Sequence, residues 1–220
     1  MKVLLIGATG FVGQHVLMEL LHRGHEITAV SRHANSLPQG LQSNPLLHII
    51  QVDAAEKTAL APLLIGQDAV ISAFSVGWTH PEFYEAFMAG STSIQQTIAQ
   101  SKVKRLIVVG GAGSLLGEDG GQLVDSPDFP KSLFAGASAA RDYLNILSQN
   151  KSLDWTFVSP AVEMNKTTSG IRKGLYRTGL DHPVVDQQGR SRISVEDLAM
   201  AIVDELENPQ FIRRRFTVAY

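Results

Sequence analysis

KVLLIGATGFVGQHV, residues 2–16, is an apolar run broken by glycines at positions 7, 10 and 13 that then resumes with helical spacing. Val3 to Ile6 are consecutively apolar, which reads as a strand buried on both faces, since a half-exposed strand would alternate. Each glycine then has a physical job. Gly7 permits a tight turn, Gly10 lets backbone approach a pyrophosphate, and Gly13 allows close packing of helix on strand. A helix opening near Phe11 presents unpaired N–H groups and a positive dipole end to phosphate. Such a motif is weak alone. Here strand, turn, helix and second strand follow in the required order within about 30 residues.

That second strand, EITAV (26–30), runs into Ser31 and Arg32. An acidic residue at this point would accept hydrogen bonds from an adenosine ribose, whereas an arginine accommodates a 2'-phosphate. No carboxylate lies between Glu26 and Asp53. The expected cofactor is therefore NADP(H) in preference to NAD(H), with Arg32 as a solvated surface residue the competing reading.

Further apolar runs follow: LLHIIQV (46–52), DAVISAF (68–74), RLIVVGG (105–111), WTFVSP (155–160) and RFTVAY (215–220). They alternate with amphipathic stretches at 11–24, 81–102, 138–150 and 194–209. Strands separated by helical crossovers predict an α/β fold, a doubly wound, mostly parallel sheet. Gly24 after His22 and Arg23 marks one helix end, and Ser194 with Asp197 three residues on marks a helix start. HRGH (22–25) is thus a basic helix end rather than a metal site. Two irregular segments, 114–131 and 161–193, are expected near the sheet's C-terminal edge, the first as a mobile loop and the second as short strands or a hairpin; substrate choice should lie there. The acidic residues Glu118, Asp119, Asp125 and Asp128 in the first read as solvated.

At 220 residues the chain is too short for two ordinary domains, so 1–220 is read as one. A net charge of -2 with scattered Lys and Arg disfavours nucleic acid and anionic membrane as partners. The absence of cysteine excludes disulfides and a thiol nucleophile. No apolar run approaches about 18 residues, so neither a signal peptide nor a membrane span is expected, and the location is expected to be cytoplasmic. No metal site is expected.

GATGFVG, VSR, VDA (52–54), DAVISAFS and VVGGAGSL together resemble the atypical short-chain dehydrogenase/reductases, an NAD(P)-binding Rossmann superfamily. Within it the chain is most similar to small proteins named as NADH-flavin reductases, with biliverdin reductase B a more distant relative. SPAVEMNKTTSGIRKGLYRTGLD and the closing GRSRISVEDLAMAIVDELENPQFIRRRFTVAY extend the likeness over nearly the whole chain. The resemblance implies that Thr9, Gly10, Phe11 and Val12 line the pyrophosphate, Asp53 and Ala54 flank the adenine, and Ala73, Phe74 and Ser75 pass beneath the ribose. It places Gly110, Gly111 and Ala112 on the nicotinamide side and Ser159, Pro160 and Ala161 near the reacting ring. Asp53 has an alternative role as a helix N-cap before AAEKTAL.

One departure from the superfamily bears on chemistry. Its classical members pair tyrosine with a lysine four residues on, which eases proton relay at neutral pH. Tyr143 is followed at that spacing by Leu147, and Tyr84, Tyr176 and Tyr220 lack the lysine as well. Ser114 and Tyr143 are candidate proton donors, but a turn serine and a core tyrosine are the favoured readings, and no catalytic acid is assigned. Trp78, Phe83, Tyr84 and Phe87 could wall an acceptor pocket; Phe83 and Phe87 have core spacing, which leaves Trp78 the better candidate. The expected activity is NAD(P)H-dependent reduction of a small flavin-like or quinone-like acceptor. A non-catalytic NAD(P)-sensing regulator and a sugar-nucleotide epimerase or dehydratase are the alternatives.

Overall fold

A computed structural model describes residues 1–33, 37 and 40–220. In chain order the elements are β1 (Lys2–Ile6), α1 (Phe11–His22), β2 (Glu26–Ser31), β3 (Leu47–Gln51), α2 (Lys57–Leu60), β4 (Ala69–Ser72), α3 (Phe83–Ala99), β5 (Arg105–Val109), α4 (Lys131–Ser148), β6 (Asp154–Ser159), β7 (Arg177–Gly179), α5 (Val195–Glu207) and β8 (Arg214–Ala219). One sheet holds all the strands in the order β3-β2-β1-β4-β5-β6-β8-β7, parallel except where β7 runs antiparallel to β8.

The unbroken apolar strands are explained by burial on both sides. Val3 and Leu5 of β1 face a layer formed with α1 and α5, while Leu4 and Ile6 face the layer that includes α3 and α4. Ile71 and Ile107 follow the first pattern, Val70 and Leu106 the second. Each such side chain, fully removed from water, contributes about 1.5–3 kcal/mol, which fixes the strand register because a one-residue slip would exchange the two faces.

Helix ends match their sequence signals in two places. Gly24 follows α1 at φ +77°, and the Ser194 side chain accepts from the Asp197 amide at 3.1 Å to cap α5. Elsewhere the structure corrects the reading. Helix α4 begins at Lys131 rather than near Ser138, running through Gly136. Helix α2 starts at Lys57 with Glu56 as its N-cap, so Asp53 is not the cap: its Oδ1 accepts from the Ala55 amide at 2.9 Å, closing a turn before the helix.

The two irregular segments are more built than expected. Residues 114–131 contain a 3-10 turn at Leu123–Asp125 and a bridge from Leu116 to Gln122, and Arg215 of β8 donates to the Ser114 carbonyl at 2.5 Å. The segment 161–193 does not simply overlie the sheet edge. Its residues 170–176 strap α1 to α5: the Lys173 and Gly174 amides donate to the buried Asp197 carboxylate, Arg172 pairs with Glu19 of α1, and the Tyr176 hydroxyl donates to Asp204. Residues 177–179 then add β7 to the sheet.

Glu19, 3% exposed, is where the strap meets the helix layer. Burial would raise its pKa, but hydrogen bonds from Arg172 and Arg23 outweigh that and hold the carboxyl below the usual range. A carboxylate whose pKa is depressed on folding adds stability above its unfolded pKa and loses that contribution as pH falls through the folded value. Glu19→Gln should therefore cost about 2 kcal/mol at pH 7, and the gap from wild type should narrow below the ordinary glutamate pKa of about 4.3. Urea melts between pH 3 and 7 read this directly; a gap independent of pH would refute it.

Candidate functional site

β1 sits between β2 and β4, and the chain's connections leave it in opposite directions, so a crevice opens at the C-terminal ends of these strands. A cleft of about 280 Å³ lies there, lined by Gly7, Thr9, Gly10, Phe11, Ser31, Arg32, Asp53, Ala54, Ala73, Phe74 and Ser75 among the residues singled out from sequence. Among the described residues, Ile6, Val30, His33, Val52, Gly77 and Trp78 also line it. Val12 and Gly13 stand behind the glycine corner, in the first turn of α1. Gly110, Gly111 and Ala112 follow β5, and Ser159, Pro160 and Ala161 end or follow β6; both groups continue the same sheet edge outside this cleft.

The glycine corner is sterically required. Gly7 has φ +78°, and a Cβ there would lie 2.3 Å from the Ala73 carbonyl oxygen. A Cβ on Gly13 would lie 2.0 Å from the Gly7 oxygen, so α1 approaches β1 at a distance only glycine allows. At Gly10 the nearest atom is the Gly7 oxygen at 3.3 Å, leaving that position open on its outer side.

Helix α1 differs from α5 in how it begins. Gly10 caps it without any side-chain hydrogen bond, and its first turn carries no acidic residue. The first N–H groups of a helix have no intrahelical partner, and those of Phe11 to Gly13 have no other protein acceptor among the described residues, so the positive end of the dipole lies uncompensated beside the cleft. An anion fits here. Thr9 and Ser31 clasp the two sides of the corner through a 2.6 Å hydroxyl contact, and Ser31 Oγ also accepts from the His33 amide at 3.1 Å.

Arg32 lies across the outer side. It donates to the Ser75 and Val76 carbonyls at 3.3 Å each, linking the end of β2 to the loop after β4. Both contacts are long and exposed, so they hold the guanidinium weakly. Below it, Phe74 packs on α3: a Cβ at Gly90 would fall 2.4 Å from the Phe74 ring. Gly90 thereby sets the depth at which Ala73 to Ser75 floor the cleft. No motif marks Gly90, because its role follows from a tertiary neighbour.

The candidate proton donors occupy structural positions. Tyr143 is 2% exposed within the core formed with Phe87 and Leu147, and burial pushes its pKa well above the ordinary phenol value. Ser114 is buried, with Arg215 on its carbonyl and hydroxyl. Phe83 and Phe87 are core residues, and Tyr84 donates to Asp142 of α4 at 2.8 Å. Trp78 remains at the cleft wall.

Residues 7–209 match a family model described as NAD(P)H-binding. The chain belongs to that NAD(P)H-binding family. It is 36% identical to the uncharacterized protein YwnB of Bacillus subtilis, over 99% of this chain and 98% of the other. Among solved structures it is similar to a candidate epimerase from Bacteroides thetaiotaomicron, with 40% identity, a TM-score of 0.90 and coverage of 100% of this chain and 96% of the other. It is also similar to a candidate NADH-flavin reductase from Streptococcus pneumoniae, with 34% identity, a TM-score of 0.83 and coverage of 100% and 99%. These relatives agree with the resemblance carried by GATGFVG and VVGGAGSL. An NAD(P)H-binding protein with this uncapped helix end and these glycines has the residues to hold a nicotinamide dinucleotide by main-chain amides, in an oxidoreductase-like fold.

Proposed function

We propose that this NAD(P)H-binding protein is an NADPH-preferring oxidoreductase that reduces a small flavin-like or quinone-like acceptor. The observation that carries the preference is Arg32, a cleft-wall residue at the end of β2 where no carboxylate stands to receive an unphosphorylated ribose. A reduced nicotinamide held at this sheet edge would supply a hydride, two electrons with one hydrogen nucleus, to the acceptor, and water would supply the accompanying proton. The chain's contribution is binding and orientation. Thr9 to Val12 would take the pyrophosphate, with the Thr9–Ser31 contact fixing the corner, Asp53 and Ala54 would flank the adenine, and Ala73 to Ser75 would carry the ribose. Gly110 to Ala112 and Ser159 to Ala161 continue along the edge toward the nicotinamide.

A conjugated acceptor is favoured because it needs no positioned acid. Tyr143 is buried and has Leu147 where a lysine would serve proton relay. The likeness to a candidate epimerase supports a second reading, sugar-nucleotide epimerisation, which that buried tyrosine disfavours. A cofactor-sensing regulator would bind without turnover. A cytoplasmic location suits an NADPH-dependent reductase; one relative, from Burkholderia pseudomallei, is named a candidate exported protein, and among the described residues no helix is long and apolar enough to cross a membrane.

Calorimetric titration of NADPH and NADH into wild type and Arg32→Ala tests the preference. One charge-assisted contact is worth about 1.5–3 kcal/mol, so NADPH binding should weaken about ten- to hundredfold while NADH changes by less than about threefold. Equal losses for both would show that Arg32 does not read the phosphate. Loss of NADPH absorbance across a panel of flavins and quinones tests turnover, and none with any acceptor would favour the regulator.

A further inference from the structure

We infer that Trp78 is the platform on which the acceptor stacks, and that the acceptor is therefore a planar fused-ring compound; this rests on the reductase reading above. A single exposed tryptophan is ordinary on a protein surface. What distinguishes Trp78 is how it is held. One ring face stacks on Phe83 at 5.4 Å between centroids and 26° between planes, and Phe83 stacks in turn on the buried Phe87 at 5.9 Å. Its edge rests on α4 where Gly136 leaves room: a Cβ there would lie 2.8 Å from the indole. The backbone that delivers it turns at Gly77, φ +97°, and is closed by the His80 amide donating to the Gly77 carbonyl at 3.0 Å. So fixed, Trp78 is still 69% exposed.

The same turn of α4 locates the exposed face. Ala137, next to Gly136, meets the position a Cβ on Gly113 would take at 2.9 Å, and Ala140 meets that of Gly111 at 3.5 Å. Trp78 and the Gly111–Gly113 backbone thus flank one stretch of helix, with the indole also in the wall of the cofactor cleft beside Arg32 and Ser75. Leu133, one turn before Gly136 on the same helix side and half-exposed, extends the apolar lip. A rigid indole face at this place, backed by an aromatic stack, offers dispersion and offset stacking over an area that a fused ring system fills and an aliphatic carbonyl compound does not. The indole lines the cofactor cleft, which favours a small ligand over a protein partner.

The test measures acceptor binding by calorimetry in the presence of saturating NADP+, with riboflavin and menadione as fused-ring probes and diacetyl as the aliphatic control. Stacking on one aromatic residue is worth about 1–3 kcal/mol, so Trp78→Ala should weaken both fused-ring probes about tenfold or more, with Trp78→Phe restoring most of it. Gly136→Ala keeps the helix, since alanine is the better helix former, yet displaces the indole and should weaken the same probes at least threefold. Steady-state kinetics with NADPH should show the change in acceptor KM rather than kcat. Unchanged probe affinity in Trp78→Ala, or a loss no larger than its loss of NADP+ affinity, would overturn the platform while leaving the reductase reading standing. Tight NADP+ binding with no binding of any probe to the wild type would remove the reductase reading and this inference with it.

Discussion

Gly7→Ala should abolish measurable dinucleotide binding and lower the thermal midpoint by about 4–20 °C. Two costs combine. A side chain at φ +78° is held in left-handed backbone, at about 1–2 kcal/mol, and its Cβ would sit 2.3 Å from the Ala73 oxygen, an overpacking that costs about 1–3 kcal/mol. Relief requires the end of β1 and the loop after β4 to part, which moves Ala73 to Ser75 away from the glycine corner that must grip the same ligand. Gly24→Ala is the control. Its φ is +77°, nearly the same, but nothing lies within 4 Å of the Cβ position, and it stands at the far end of α1. That substitution should cost only the backbone strain and leave cofactor affinity at the wild-type level. Thermal melts and calorimetry on the pair separate strain from the cradle; if Gly7→Ala behaves like Gly24→Ala, the packing argument for the corner is wrong.

The contrast between those glycines also shows what a single sequence reveals. Gly7, Gly10 and Gly13 were legible because strand, turn and helix supply their context within a few residues. Gly90 and Gly136 were not, since what forbids a Cβ at each is an aromatic ring from elsewhere, Phe74 in one case and Trp78 in the other. The first turns of α4, ahead of the amphipathic stretch read at 138–150, carry Gly136 inside the helix. The strands buried on both faces announced themselves as apolar runs. β7 could not: Arg177–Gly179 is a short edge strand made regular only by pairing with β8, about 40 residues later in the chain. For Arg32 the residue type was readable and its direction was not. The structure turns it across the cleft toward the carbonyls of Ser75 and Val76, at the start of the loop carrying Trp78.

At the opposite edge of the sheet, stability is expected to be separable from binding. Arg105, the first residue of β5, donates to Glu205 of α5 at 2.7 Å, to Thr156 at 2.7 Å and to the Asp154 carbonyl at 2.9 Å. Glu205 accepts in addition from Thr156 and from the amides of Gln210 and Phe211. Burial pushes the Arg105 pKa below its usual value despite the pairing, which shows how costly the unpaired cation would be. Glu205→Ala leaves that cation without its counter-charge, though still bonded to Thr156 and the Asp154 and Glu205 carbonyls, and leaves two amides without their acceptor, so it should cost about 3–5 kcal/mol and about 6–20 °C in thermal midpoint. Replacing the pair together, as Arg105→Met with Glu205→Leu, should recover only part of this, because the Gln210 and Phe211 amides still lack the carboxylate, while the Thr156 hydroxyl keeps the Phe211 carbonyl. The pair lies a full strand length, about 15 Å, from the glycine corner. Cofactor affinity of the folded fraction should therefore stay within about twofold of wild type in both variants. Urea unfolding followed by calorimetry below the transition decides the matter: a loss under 1 kcal/mol would mean that this carboxylate is not what holds Arg105 in the core, and a parallel loss of affinity would mean that the two edges of the sheet are not independent.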